Sequence, residues 1–293
     1  MLGFHSLKLG KLFPIIAILA LSVQINQATA QQQRAEVGGF GTPESITVGP
    51  DGNYYVADLA GFGVRGDGSV KIISGDPFAD EATVTDFVTG LDDPKGMVFS
   101  GEDLIVADIT QLLRITPNGE VSTFLAQEDF PGGSQFLNDM DIDAEGNMYI
   151  SDTNRQVVFR VDTEGTATIF ADLDEFMNGA NGVLVDTEGH VGEPGSVLVV
   201  DLRFPGALVL VSPDGSEVRE IARGFQGDGI AFDSAGNLYV SDLARGIFRI
   251  DEEGNARIFA GPFAQAADFT IDQEKNWMIV ANFSGRRVTF LQL

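Results

Sequence analysis

Cysteine is missing from the chain altogether, which excludes disulfides, thiolate metal sites, a catalytic thiol and a lipid-modified cysteine behind a leader. Histidine is almost as scarce: His5 and His190 are the only two in 293 residues. A histidine-based zinc site or a serine triad therefore has little to draw on. Positive charge is short as well, with 18 Lys and Arg against 43 Asp and Glu, a formal net charge of −25. Nucleic acids and anionic membrane surfaces are bound through Lys and Arg, so this balance argues against both as partners. No Walker-type phosphate loop occurs, and no apolar run reaches the roughly twenty residues that a spanning helix needs. The run from Leu12 to Val23 comes nearest. It follows Lys8 and Lys11 and precedes Ala28-Thr29-Ala30, the order of charged, apolar and small residues found in a secretory signal. The expectation is a cleaved signal over 1–30 and one mature domain over 31–293. Such a protein is secreted or periplasmic, monomeric, and free of the membrane after cleavage.

What the chain has in quantity is a repeat. Six segments each carry an apolar–x–apolar triplet, a turn rich in Asp, Gly and Asn, and a second apolar run that usually ends in Asp. The stretch 138–173 shows the unit most plainly. Met140-Asp141-Ile142 and Met148-Tyr149-Ile150 flank a tight turn, and Val157 to Val161 and Ala167 to Phe170 follow, joined by Thr163-Glu164-Gly165. Four short strands repeated every 40 to 50 residues are the signature of a propeller blade. The fold class is therefore all-β, a six-bladed β-propeller. The last unit supplies only three strands, and Ala35 to Phe40 is expected to add the fourth, closing the ring and hiding both sheet edges. Many of the acids sit in turns such as Pro50-Asp51-Gly52, as solvated turn residues.

Two columns emerge when the units are aligned by their turns. Asp58, Asp108, Asp152, Asp201, Asp242 and Asn282 end the second strand of each unit. A side chain wanted in every blade to accept backbone N–H groups is a structural one. The other column opens the first strand and varies: Glu44, Lys95, Asn138, Asn181, Asp228 and Ala267. Four of these bring oxygen donors to one axis. Carboxylates and amides without Cys or His select a hard divalent cation, Ca²⁺ before Mg²⁺ or Mn²⁺; the alternative is a wet polar channel. Lys95 points at the same channel, to stabilise an oxyanion, to bind a carboxylate or to balance charge. His190 falls in a turn on the far side from this mouth.

At this point the residues carry a resemblance. Glu44 in Thr-Pro-Glu-Ser, Asn138 in Leu-Asn-Asp, Asn181 in Ala-Asn-Gly-Val and Asp228 in Gly-Asp-Gly-Ile-Ala-Phe-Asp resemble the four metal-binding positions of the SMP-30/gluconolactonase/luciferin-regenerating-enzyme family. The diisopropyl fluorophosphatase and paraoxonase groups are related to it. The resemblance implies a Ca²⁺ or Zn²⁺ in the channel mouth and hydrolysis of a small-molecule lactone or ester there. In that picture Asp228 is a metal ligand that also acts as base or nucleophile, with Lys95 as the second catalytic candidate. The family's sugar lactonases often carry Arg two residues before the ligand Asn, where this chain has Phe136. Phe136, Phe62 from an extra loop, and Asp268 are the expected substrate contacts, and the substrate is less polar than a sugar lactone. Two other readings stay open. One is a non-enzymatic propeller akin to NHL-repeat scaffolds; the other is a non-hydrolytic enzyme like the strictosidine synthase-like relatives.

Overall fold

The structure is a computed structural model that describes residues 32–293; the expected signal lies outside the described residues. Its 24 strands form six four-stranded antiparallel sheets, a six-bladed β-propeller. Blades one to five occupy 43–91, 94–125, 137–172, 180–225 and 227–260. Blade six combines Ala266–Asp272, Trp277–Asn282 and Arg287–Gln292 with the N-terminal strand Arg34–Gly38. That strand pairs antiparallel from Arg34 with Leu291 to Gly38 with Arg287. It is the expected closure, beginning one residue earlier and ending two earlier, because Phe40 leaves the sheet and packs into the core. No helix among the described residues is long and apolar enough to cross a membrane.

Burial explains the sequence pattern. Second strands such as Tyr54–Asp58 and Met148–Asp152 are buried on both faces, whereas outer strands such as Val121–Leu125 and Ala256–Ala260 are mostly exposed. Each blade faces its neighbours through both surfaces, so its middle strands read as continuous apolar runs. Six apolar clusters result, one in each gap between successive blades. The cluster that closes the ring joins Val37, Phe40 and Phe290 to Ile46, Tyr54 and Ile73, and across it the Tyr54 hydroxyl donates to Asp272 at 2.8 Å. The acidic turns are ordered by their own side chains: Asp143 accepts from the Asn147 backbone at 2.7 Å and from its amide at 2.8 Å.

Every innermost strand carries one extra residue near its start. In blade three Leu137 pairs with Asp152 but Met140 with Ile150, so three steps on one strand match two on the other. All six inner strands share this bulge. A bulge turns two successive side chains to one face. It also brings neighbouring inner strands close. A Cβ on Gly182 would lie 1.8 Å from the Asp228 carbonyl oxygen, and one on Gly229 would lie 2.2 Å from an Asp268 carboxylate oxygen. Only glycine fits these places.

The aspartates ending the second strands hold the segments that lead into the first. Asp58 accepts from Gly41 at 2.8 Å and Thr42 at 2.6 Å, and Asp108 from Asp92 at 3.1 Å and Asp93 at 2.7 Å. Asp152 accepts from Gln135 and Phe136, Asp201 from Asn178, and Asp242 from Gln226. Asn282 departs from the set and donates to Thr289 and Val280. Asp152 also takes the N–H groups of Asn154 and Arg155 and is fully buried. Asp152→Ala strands these donors, and an unpaired buried polar group costs about 1–3 kcal/mol. Chemical denaturation should show a loss in that range or above. An unchanged midpoint would refute the role.

Candidate functional site: the polar ring at one channel mouth

Two or three residues after these anchored N–H groups, and at the matching place in blade six, stands the variable column. Glu44, Lys95, Asn138, Asn181, Asp228 and Ala267 are all buried, one from each blade. The amides are oriented by their donors. Asn138 gives its Nδ2 to Thr153 at 2.9 Å, and Thr153 in turn donates to the Ala180 carbonyl at 2.8 Å. Asn181 gives its Nδ2 to the Gly227 carbonyl at 3.2 Å, which leaves its oxygen without any partner although the residue is 1% exposed. An orphaned buried carbonyl beside two buried carboxylates is the arrangement that a hard cation satisfies. Among the described residues no three acidic, histidine or cysteine side chains gather to hold a metal by themselves. The ring offers two carboxylates and two amides instead, all oxygen donors.

The electrostatics point the same way. Burial pushes the Glu44 carboxyl up to about 7; Lys95 pulls it down, while Asp268 and Asp93 push it further up. Burial also holds Asp228 well above the ordinary carboxylate range. Glu44 and Asp268 add to this, and Lys95 and Asn181 oppose it. Two facing carboxylates in a poorly solvated site resist ionisation unless a cation compensates them. The residues therefore fit a divalent ion held by Glu44, Asn138, Asn181 and Asp228.

Lys95 is 2% exposed. Its ammonium lies 5.2 Å from the ring centres of both Phe62 and Phe136, and the two rings are 6.4 Å apart. The structure thus brings three expected residues together on one side of the ring. Phe62 is 64% exposed and stands at the rim. Asp268 is placed differently from the other expected substrate contacts. Its carboxylate accepts from the Ser45 hydroxyl and the Phe269 N–H, both at 2.7 Å, and it lines the channel beneath the ring.

Sequence reasoning missed the depth of the channel. Asp139 and Asp141 also face it, and burial raises both, Asp141 to about 6. Strict alternation puts Asp139 on the face opposite Asn138; the bulge overrides it. With Asp268 these acids line a cavity of about 550 Å³ at the opposite mouth, where His190 stacks on Phe232 at 4.8 Å. His190 is therefore remote from the ring, as expected.

The comparisons with known proteins establish the architecture. Solved propellers of similar shape include a gluconolactonase from Xanthomonas campestris, with a TM-score of 0.72 and 16% identity over 90% of each chain. A catalytically inactive histidine-to-alanine variant of virginiamycin B lyase from Staphylococcus aureus, bound to quinupristin, has a TM-score of 0.58 and 14% identity over 90% of this chain and 100% of the other. An auxiliary nutrient binding protein from Bacteroides thetaiotaomicron has a TM-score of 0.66 and 12% identity over 89% and 76%. No protein-family model and no curated protein matches the sequence. At these identities the likeness is one of fold, and a hydrolase, a lyase and a binding protein share it.

A cation held by the ring would compete there with protons, which sets a test. Glu44 has a folded value above its unfolded one, so its contribution to stability is full below about pH 4.5 and is lost as pH rises through about 7. A bound cation removes that loss. Melting temperatures in EDTA and in millimolar Ca²⁺ should diverge as pH rises across this window. At a hundredfold excess over Kd the difference corresponds to about 2.7 kcal/mol. Superimposable melts at pH 7 and above would contradict a cation at the ring.

Proposed function

We propose that the protein is a secreted or periplasmic, monomeric, metal-dependent hydrolase acting on a small lactone or ester at the polar ring. The observation that carries this reading is the unpartnered Asn181 oxygen set beside buried Glu44 and Asp228. The shape shared with a gluconolactonase supports it. Ca²⁺ is the first choice, and Zn²⁺, Mg²⁺ and Mn²⁺ offer the same kind of chemistry. When bound, such an ion polarises the substrate carbonyl and lowers the cost of negative charge on its oxygen.

The chain's own groups supply the rest. Asp228 takes the proton from the attacking water. Lys95, held between two aromatic faces, turns its ammonium toward the oxyanion that develops as water adds to the carbonyl. Phe62 and Phe136 wall the substrate with apolar surface, which favours aliphatic and aryl groups over the hydroxyls of an aldonolactone. A lyase reaction is disfavoured. The virginiamycin B lyase variant described as catalytically inactive carries alanine in place of a histidine, and the one histidine among the described residues of this chain, His190, sits at the opposite mouth.

A panel of aliphatic lactones, aryl esters and gluconolactone, assayed with and without added Ca²⁺, tests the reading. Turnover should require the cation and be greatest on the apolar substrates. Asp228→Asn should remove most of it, and Lys95→Met should lower kcat on the order of 10²- to 10³-fold. A strong preference for aldonolactones would overturn the substrate class. An inert panel with Ca²⁺ bound would favour a binding protein.

A further inference from the structure

The connection between the second and third strands of blade one, Tyr54–Asp58 and Gly68–Ser74, spans nine residues, 59–67. The corresponding connection in blade two, between Asp103–Asp108 and Gln111–Ile115, spans two, 109–110. The longer loop carries Phe62 and Val64, both exposed, between Gly61, Gly63 and Gly66. A segment so rich in glycine has no conformation of its own, since glycine loses the most backbone freedom on ordering. Gly63 and Gly66 indeed adopt φ values of +74° and +77°.

The base of the loop is held within blade one by Thr42 and Asp58, and its tip by the segment that leads into blade two. The Gly63 N–H donates to both oxygens of Asp93, at 3.0 Å each, and the Gly66 N–H donates to Asp92 at 3.0 Å. Asp93 is 3% exposed, and its own N–H is fixed by Asp108 at 2.7 Å. One residue, Pro94, separates Asp93 from Lys95. The segment that presents the ammonium therefore also grips the loop that covers it. Hydrogen bonds from backbone N–H to a buried carboxylate are among the stronger ones.

We propose that Asp93 is a positioning residue for Lys95, acting through Phe62, and that loop 59–67 is a fixed wall of the substrate pocket because Asp93 holds it there. The Phe62 and Phe136 faces hold the ammonium from two sides by cation–π attraction. With Phe62 released, one face is lost and the lysine is free to swing onto Glu44 or Asp228, both of which already feel its charge. Both carboxylates would then be drawn away from the centre of the ring. The kinetic consequence rests on the hydrolase reading; the latch itself does not.

The test separates the two. Asp93→Ala and the milder Asp93→Asn, which keeps one acceptor, are compared with wild type and with Phe62→Ala, each checked for an unchanged far-ultraviolet spectrum. Hydrogen exchange over 59–67 and mass-mapped acylation of lysine by an N-hydroxysuccinimide acetate read the latch without catalysis. Lys95 is easily resolved from Lys71 and Lys275, the other described lysines. Asp93→Ala should speed exchange in the loop and expose Lys95 to acylation, and Asp93→Asn should fall between it and wild type. On phenyl acetate and γ-butyrolactone, kcat should fall on the order of 10-fold for both, while KM rises only for the aryl ester. In the Phe62→Ala background the Asp93 substitution should add nothing. Unchanged exchange and labelling would overturn the latch. Altered exchange with unaltered kinetics, or losses that multiply in the double variant, would overturn the positioning role. Altered exchange and labelling in a protein inert toward every ester would leave the latch standing and remove the hydrolase reading.

Discussion

A buried carboxylate accepting backbone N–H groups sits upstream of the ring in five of the six blades, and the rest of the site depends on it. Asp58, Asp108, Asp152, Asp201 and Asp242 each fix the segment two or three residues before the variable column. The chain thus arrives at the axis at a set height in those five blades, whatever side chain it then presents. Blade six lacks this contact at Asn282 and presents Ala267, which brings no polar group to the ring. A constant frame with a variable tip lets one fold carry unrelated chemistries.

The tips in this chain concentrate negative charge where little water reaches it. Glu44 and Asp228 lie at the ring, and Asp139, Asp141 and Asp268 lie deeper, all raised by burial. Lys95 is the one cation among the six residues of the ring. It is held by aromatic faces rather than by an ion pair, so the carboxylates remain free to meet a metal. Sandwiching the lysine between rings keeps a positive charge beside the ring without neutralising the oxygen donors that define it.

The blade count, the closing strand and the variable column were legible in the sequence because each is a repeated local pattern. The depth of the channel was not. Asp139 follows Asn138 directly, and only a bulge puts both on one face; its signature is pairing register, which a single sequence does not display. The glycines at 182 and 229 serve the close approach of neighbouring inner strands, which no local pattern displays. The grip of Asp93 on Gly63 joins positions 30 residues apart, and nothing periodic marks it. Phe62 and Lys95 were separately conspicuous, one as an insertion and the other as a break in its column, but their contact is a property of the folded loop.

The proposed cation rests on donor chemistry, so direct observation decides it. Diffraction from crystals grown in Ca²⁺, with the ion located by its anomalous signal, reads the coordination shell directly. The proposed site predicts one ion on the channel axis, with oxygens of Glu44, Asn138, Asn181 and Asp228 at about 2.3–2.6 Å. Ordered water alone at that point in saturating Ca²⁺, or an ion bound only among Asp139, Asp141 and Asp268, would contradict it.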